Sequence, residues 1–223
     1  MNPTTYVSLD ELYDLYIEMG DVPPEWLARM LGKPGTRKLD GDALYRAAID
    51  SGIPSLFAVA DKTDGSIKPL ADGCGIYICG AQGAGKTWMA CRIAKEWLAE
   101  GMGSVRFVPS VQLLAEIADT YGGRSEGEGS VMARYTKCSL LVVDDLGKEV
   151  PSTWALSKLF ALFDTRYANN RPTIVTTQFG TDALARRMAQ SGDVETAMAI
   201  VSRFREKYKA LNLGNVDRRA ASR

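Results

Sequence analysis

The stretch from Gly80 to Thr87 has the residue types and the spacing of a phosphate-binding loop. It reads Gly-Ala-Gln-Gly-Ala-Gly-Lys-Thr and satisfies the pattern G-x-x-x-x-G-K-[ST]. Glycines let backbone N–H groups approach phosphate oxygens, and a helix opening at Gly85 adds its unpaired N–H groups and positive dipole end. We expect Lys86 to reach the β- and γ-phosphates and the Thr87 hydroxyl to bind Mg²⁺. The expected nucleotide contacts are Gly80, Gln82, Gly83, Ala84, Gly85, Lys86, Thr87 and Trp88.

The residues on either side of this loop predict the strand and the helix that such a loop requires. Ile76–Cys79 is a short apolar run between two glycines, which is typical of a buried strand. Residues 86–100 repeat apolar side chains at helical spacing and are followed by Gly101, a natural helix stop. A glycine-rich turn that matches the pattern by chance need not have this context. The sequence therefore predicts a nucleoside triphosphate site.

A second candidate site follows the apolar run Leu140–Val143, which ends in the paired carboxylates Asp144 and Asp145. A parallel strand delivers the residues at its end to the carboxyl edge of the sheet, where ligands bind. We expect Asp144 to hold Mg²⁺ directly or through water, and Asp145 to accept a proton from the attacking water or to orient that water. The alternative is an Asp-rich turn with no chemical role.

Composition limits the class of protein. At 223 residues the chain suits one full domain plus a small appendage, and its net charge of zero gives no overall basic field for nucleic acid. The four cysteines lack metal-type spacing and histidine is absent, so reduced thiols are expected rather than a zinc site. We find no membrane-length apolar run and no charged-then-apolar leader, and we expect a cytoplasmic protein with no membrane partner.

The chain divides into three predicted parts: an N-terminal helical segment (1–50), a turn-rich connector (51–75) and a main domain (76–223). In the main domain, apolar strands alternate with amphipathic helices, which predicts a parallel sheet covered on both faces. The predicted strands are Ile76–Cys79, Val105–Val108, Leu140–Val143, Ile174–Thr177 and Tyr208–Leu213. The predicted helices lie near 86–100, 110–120, 152–168, 181–190 and 194–206.

Residues 121–130 are polar and glycine-rich, and we expect them to form a mobile loop. Basic side chains around this loop could form a path for single-stranded DNA, with an aromatic ring offering a stacking face. The candidates are Arg124, Arg134 and Lys137, with Tyr121 or Tyr135 as the ring. An ordinary solvated loop is the alternative.

The segment from about Ile53 to Arg219 resembles the AAA+ ATPase of DnaC/DnaI-type replicative helicase loaders and of the related IstB-type transposition ATPases. The resemblance implies an α/β fold of the P-loop NTPase (AAA+) class with a parallel five-stranded sheet flanked by helices, a small N-terminal helical segment and no C-terminal lid domain. It also implies ATP hydrolysis with ATP and Mg²⁺. The matching pieces are Gly80–Thr87, Leu140–Gly147, Arg166–Thr177, Val201–Phe204 and Gly214–Arg219.

The resemblance assigns three further positions. Gln178 stands where the family usually has an asparagine that senses the γ-phosphate, and its amide lies one methylene farther out. Arg203 matches the arginine finger that family members insert into a neighbouring subunit's site, which implies self-association and assembly-dependent turnover; a solvated helix arginine is the alternative. Arg219 matches a terminal arginine of the family.

These features predict an ATP-dependent helicase loader that delivers a hexameric replicative DNA helicase to single-stranded DNA. The alternative is an IstB-like ATPase helper of a DNA transposase, which would use the same type of ATPase domain. Two alternatives from other functional classes are a small-molecule kinase, which also uses a phosphate loop, and a nucleotide-gated adaptor that does not hydrolyse ATP. The N-terminal helices could dock on the helicase or pack on the ATPase core. Their candidate contact residues are Leu12, Tyr13, Tyr16, Trp26 and Met30.

Overall fold

A computed structural model describes residues 39–59, 67–122, 126–214 and 217. The helices are α1 (Gly41–Asp50), α2 (Ser55–Ala58), α3 (Lys68–Ala71), α4 (Lys86–Ala99), α5 (Ser110–Asp119), α6 (Glu128–Lys137), α7 (Thr153–Ala168), α8 (Thr181–Ala189) and α9 (Val194–Lys207). The strands are β1 (Gly75–Cys79), β2 (Val105–Pro109), β3 (Leu140–Asp144), β4 (Thr173–Thr177) and β5 (Tyr208–Asn212). Within these ranges, no helix is long and apolar enough to cross a membrane.

The five strands form one parallel sheet in the order β2-β3-β4-β1-β5, which confirms the expected architecture. Strand β1 pairs with β4, so Cys79 lies opposite Thr177 although the two are far apart in the chain. On the other side of β4, Val143 of β3 lies opposite Val175. Since all strands point the same way, the segments that follow β1, β3 and β4 meet at one edge of the sheet.

Both faces of the sheet are covered, which explains the uninterrupted apolar strands. Ile78 and Ile174 point to the face covered by α1, α2 and α4. Tyr77 and Val175 point to the opposite face, where they pack with α5 and α7–α9. Successive residues of a strand alternate between faces, so a strand covered on both sides is apolar except where a polar side chain finds a hydrogen-bond partner, as Thr176 does. The sheet is therefore a rigid platform for the loops at its edge.

Helix α6 was not expected from the sequence. Residues 128–130 belong to this helix, so the prediction of a continuous loop over 121–130 is wrong there. Glycine and serine have low helix propensity, but burial of Val131 and Tyr135 against α5 and α7 stabilises the helix. Thr120–Gly122 forms a single 3₁₀ turn.

The first described residues pack on the sheet domain. Helix α1 lies against α4, and Ser51 O accepts a hydrogen bond from Phe107 N at 2.8 Å. Helix α1 lies within the predicted N-terminal helical segment (1–50), and the predicted connector contains α2 and α3. The earlier part of the N-terminal segment, with the candidate docking residues from Leu12 to Met30, lies outside the described residues. The division into three parts stays a prediction.

Arg166 joins the amino ends of the two central strands. Its side chain is fully buried on α7, and its guanidinium donates to the backbone carbonyls of Tyr135 (2.8 Å), Cys138 (2.9 Å) and Pro172 (2.6 Å) and to Thr173 Oγ1 (2.8 Å). Burial lowers the pKa of Arg166 from its ordinary value. The guanidinium is the shared donor that holds the end of α6 and the starts of β3 and β4 together.

Replacing this guanidinium should destabilise the fold. Arg166→Met leaves several buried carbonyls without a donor, so we expect the free energy of unfolding to fall by about 3 kcal/mol. Urea denaturation followed by circular dichroism measures the change. Arg186→Met removes an exposed arginine from α8 and should change stability by less than about 0.5 kcal/mol. Equal stability of the two variants would contradict this role for Arg166.

Candidate nucleotide-binding site

The phosphate loop connects β1 to α4 in the predicted way. Gly83 and Gly85 adopt positive φ angles of 80° and 91°, which side chains disfavour. A Cβ at Gly83 would also lie 2.0 Å from Asp217 Oδ1, so a larger residue there would displace the Asp217 side chain. Lys86 is buried, and its ammonium donates to the carbonyls of Gly80 (3.0 Å) and Ala81 (2.9 Å). The loop thus curves around a single ammonium group.

The amino end of α4 faces the same loop. Gly85 is its N-cap, and no side chain there accepts a hydrogen bond from the first turn. The dipole of this 14-residue helix favours negative charge at its amino end. Loop and helix together form an anion site.

Asp144 lies at the end of β3 between two threonine hydroxyls. Thr87 Oγ1 donates to its carboxylate at 3.0 and 3.2 Å, and Thr176 Oγ1 donates to Oδ1 at 2.6 Å. The Asp144 side chain is buried, and this burial, with repulsion from Asp145, raises its pKa although the two hydroxyls lower it. A buried carboxylate beside the Thr87 hydroxyl provides hard oxygen ligands, the type that Mg²⁺ prefers.

These two oxygen donors fit Mg²⁺ in the way that phosphate-loop proteins hold it, with the remaining ligands from nucleotide and water. Among the described residues, no group of three or more His, Cys, Asp or Glu could hold a metal alone. The chemistry of the donor set therefore suits a magnesium ion that arrives with a phosphate.

Asp145 has an unusual backbone and a charged neighbour. Its φ of 56° is in the left-handed region, and its N–H donates to Thr176 Oγ1 at 2.9 Å. Its carboxylate Oδ2 accepts from Lys148 Nζ at 2.6 Å. Thr176 thus fixes both aspartates, since its hydroxyl donates to one and accepts from the other.

The segment after Asp145 is held by a second buried carboxylate, Glu149. It accepts from Ser110 Oγ at 2.7 Å and from Gly147 N at 3.0 and 3.1 Å. Arg187 donates to the carbonyl of Gly147 and to that of Glu149, both at 3.2 Å. Sequence reasoning missed Thr176, Ser110 and Glu149; a polar residue inside a buried strand, as at 176, was the available signal.

A cavity of about 790 Å³ opens over the phosphate loop. This volume is in the range of small-molecule and cofactor sites. On the outer side it is bounded by α2 and by Trp88, whose ring has the Arg92 guanidinium 4.5 Å from its centre. The lining residues are Leu56, Phe57, Gln82, Gly83, Gly85, Lys86, Thr87, Trp88, Asp145, Lys148 and Gln178.

The structure brings most of the predicted site residues together. Gln178 follows β4 directly, is exposed and lines the cavity with Lys86 and Asp145. Gly80 and Ala84 are buried within the loop, and Asp144 lies beneath it. Arg219 lies outside the described residues.

Arg203 does not line this cavity. Its guanidinium is paired with Asp164 of α7, with Nε at 2.9 Å from Oδ1, and it stacks over the rings of Phe160 and Tyr167. Arg203 Nη1 also donates to Ala199 O at 2.8 Å. Within its own chain, this side chain is a partly buried contact between α7 and α9.

The proposed DNA path is only partly formed by the described residues. Tyr135 is wrong as a stacking face because its ring is buried and its hydroxyl donates to Glu116 Oε2 at 2.5 Å. Arg134 is half-exposed and lies 3.3 Å from Glu126, while Lys137 and Tyr121 are exposed. Arg124 lies outside the described residues.

Comparison with known proteins gives two kinds of relative. The replicative helicase loader DnaI of Bacillus subtilis is 27% identical over 157 residues, which cover 68% of this chain and 50% of DnaI. An ATP-binding protein of the insertion sequence IS1162 from Pseudomonas fluorescens is 29% identical over 103 residues, or 46% of this chain and 43% of that protein. The chain spans about half the length of these curated relatives.

A crystal structure of DnaI has the same fold. It superposes with a TM-score of 0.57 at 24% identity, and the match covers 79% of this chain and 96% of the DnaI chain. The AAA+ fold expected from the resemblance is therefore confirmed.

Removing the buried charge of Asp144 should stabilise the fold and abolish function. Because the folded-state pKa of Asp144 is raised, its contribution to stability is full below the unfolded pKa of about 4 and is lost as the pH rises through the folded pKa. Asp144→Asn should therefore unfold like the unmodified chain near pH 4 and be more stable than it at pH 7.

Thermal denaturation at both pH values measures this difference, and steady-state ATP hydrolysis measures the loss of function. Asp182→Asn, at an exposed position on α8, is the control and should leave both quantities nearly unchanged. A stability gap that shrinks as the pH rises would contradict the assigned cause.

The family comparison agrees with the geometry. The model of the family described as IstB-like ATP binding protein matches residues 66–223, well over half of the chain. The matched range contains the sheet, the phosphate loop and both aspartates. The chain therefore belongs to the family of IstB-like ATP-binding proteins and is an ATPase of the AAA+ type.

Proposed function

We propose that this ATPase is a helicase loader that works in the cytoplasm. It binds ATP with Mg²⁺, assembles with other copies through its ATPase domain and delivers a hexameric replicative DNA helicase to single-stranded DNA. The observation that carries the proposal is the similarity to the replicative helicase loader DnaI, which covers 68% of the chain. The arrangement of Lys86, Asp144 and Asp145 supports the ATP-dependent part.

In this proposal the phosphates lie against the loop amides and the amino end of α4. Lys86 contacts the β- and γ-phosphates, for which its ammonium is already centred in the loop. Thr87 and Asp144 hold Mg²⁺. When bound, the ion offsets the charge of the β- and γ-phosphates. Trp88 and α2 lie where the rest of the nucleotide leaves the loop.

The different environments of Asp144 and Asp145 suit them to different roles in hydrolysis. Asp144 is buried between hydroxyl donors, which suits a metal ligand. Asp145 is partly exposed to the cavity, which suits a group that orients the attacking water or accepts its proton. Gln178 faces the same cavity from the end of β4 and is the proposed sensor of the γ-phosphate.

Arg203 is the residue that makes the proposed activity depend on self-association. As a finger it would stabilise developing charge on the phosphates of a neighbouring copy. Its present pairing with Asp164 keeps the guanidinium at the surface between α7 and α9, and that pair has to open for the finger to reach another site. We therefore propose that assembly exchanges Asp164 for the neighbour's phosphate.

Subunit mixing tests the finger. Arg203→Ala and Lys86→Ala should each lower ATP turnover by at least about 100-fold, because each copy lacks one half of a shared site. An equal mixture should recover measurable turnover, since a Lys86→Ala copy lends its intact Arg203 to an Arg203→Ala neighbour. Arg205→Ala, an exposed position on the same helix, is the control. A mixture as inactive as its components would reject a finger in trans.

On the DNA side, the proposal uses the exposed Tyr121 and Lys137 with Arg134. Tyr121 is 60% exposed and packs edge-on against Trp154, so its ring offers a base-stacking face. The nearby Glu126 pairs with Arg134 and would have to yield to a phosphate.

An IstB-like helper of a DNA transposase is the second candidate. It is favoured by the family match over residues 66–223 and by the similarity to the insertion-sequence protein of Pseudomonas fluorescens. Both candidates use the same nucleotide site and differ in the partner.

Copurification separates the two candidates. The full chain should retain a hexameric replicative helicase in the presence of ATP, and Lys86→Ala should lower the retained amount by about tenfold because nucleotide binding is lost. Arg186→Ala, at an exposed position on α8, should retain the helicase as well as the unmodified chain. Retention of an insertion-sequence transposase but no helicase would overturn the loader proposal in favour of the helper.

A further inference from the structure

We propose that Lys148 is a second phosphate ligand of the site, which contacts the γ-phosphate within its own chain and lets the protein distinguish ATP from ADP. The inference deepens the ATPase function and rests on nucleotide binding at the phosphate loop. It is independent of whether the partner is a helicase or a transposase.

The backbone of Lys148 is held in place by its neighbours on both sides. Lys148 N donates to the carbonyl of Asp145 at 3.2 Å. Gly147 N is bound by the buried Glu149 carboxylate, and Arg187 binds the carbonyls of both flanking residues. The network fixes the point from which the Lys148 side chain starts, while that side chain is itself half-exposed.

Lys148 lines the cavity, and its ammonium lies beside Asp145, the proposed acceptor of the water proton. Its Nζ is 2.6 Å from Asp145 Oδ2, and both groups share the cavity wall with Lys86 and Gln178. Lys86 and Lys148 are the two cationic side chains among the described lining residues. Lys86 reaches the cavity from the phosphate loop, whereas Lys148 reaches it from the segment that follows β3.

A γ-phosphate is a stronger partner for this ammonium than a single carboxylate. It carries up to two negative charges and three acceptor oxygens, whereas a carboxylate carries one charge and two oxygens. The present ion pair is weak in comparison, because the side chains of Lys148 and Asp145 are 50% and 32% exposed and water screens their attraction. Exchange of Asp145 for phosphate is therefore favourable, and ADP offers no phosphate at that position.

The exchange has a consequence for hydrolysis. Once Lys148 turns to the γ-phosphate, the Asp145 carboxylate is free to accept from the attacking water. The water oxygen then bonds to the γ-phosphorus, the bond to the bridging oxygen breaks with its electron pair leaving on ADP, and the water proton passes to Asp145. Lys148 thus acts as a positioning residue that frees Asp145 when a triphosphate is bound.

Equilibrium binding to the full chain tests the inference. Lys148→Met keeps the aliphatic length without the charge, and we expect it to weaken binding of a non-hydrolysable ATP analogue about tenfold while ADP affinity changes less than about twofold. Lys148→Arg should restore most of the ATP affinity. Lys158→Met removes a lysine paired with Glu128, away from the cavity, and should change neither affinity.

Isothermal titration calorimetry measures both nucleotides with Mg²⁺, and a thermal melt within about 2 °C of the unmodified chain shows that the fold is intact. Equal loss for ATP analogue and ADP, or no loss for either, would overturn the inference. Repeating the series on Asp145→Asn should give the same selective loss; disappearance of that loss would mean that Lys148 acts only through Asp145. Binding of neither nucleotide by the unmodified chain would overturn the phosphate-loop site itself, a distinct result.

Discussion

The whole site depends on one carboxylate, Asp144, which is buried between the hydroxyls of Thr87 and Thr176. This contact links the helix after the phosphate loop to the ends of two neighbouring strands, so three segments distant in the chain share one fixed point. Thr176 extends the same link to Asp145 through its N–H. A buried negative charge lowers the stability of the fold unless it is hydrogen-bonded or bound to a cation. Asp144 therefore destabilises the chain at neutral pH but provides a ligand for the metal.

Sequence patterns predicted the framework because its physical causes are local. Strands buried on both faces are largely apolar, which placed β1 and β3 to within one residue at each end. The phosphate loop followed from backbone requirements, which only glycines meet at positions such as Gly83 and Gly85. Helix α6 was missed because tertiary packing of Val131 and Tyr135 overrides its weak propensity, a cause that lies far away in the chain.

The supporting residues of the site could not be read from spacing alone. Glu149 and Ser110 meet across different segments, and their pairing depends on how α5 packs at the end of β2. The same limit applied to Arg203, whose local helix predicts a solvated side chain although Asp164 and two aromatic rings hold it. Polar residues acquire their roles through neighbours that the fold supplies, whereas apolar periodicity and glycine geometry carry their meaning within a few residues.

The chain after β5 returns to the nucleotide site. Leu213 N donates to Cys79 O at 2.8 Å, and Gly214 O accepts from Ala81 N at 3.0 Å, so two residues beyond the last strand act as a strap across the base of the phosphate loop. A truncation ending at residue 212 would strip the Ala81 amide of its acceptor and loosen the curve that surrounds the Lys86 ammonium. The segment after β5 therefore helps to hold the backbone of the phosphate loop in place.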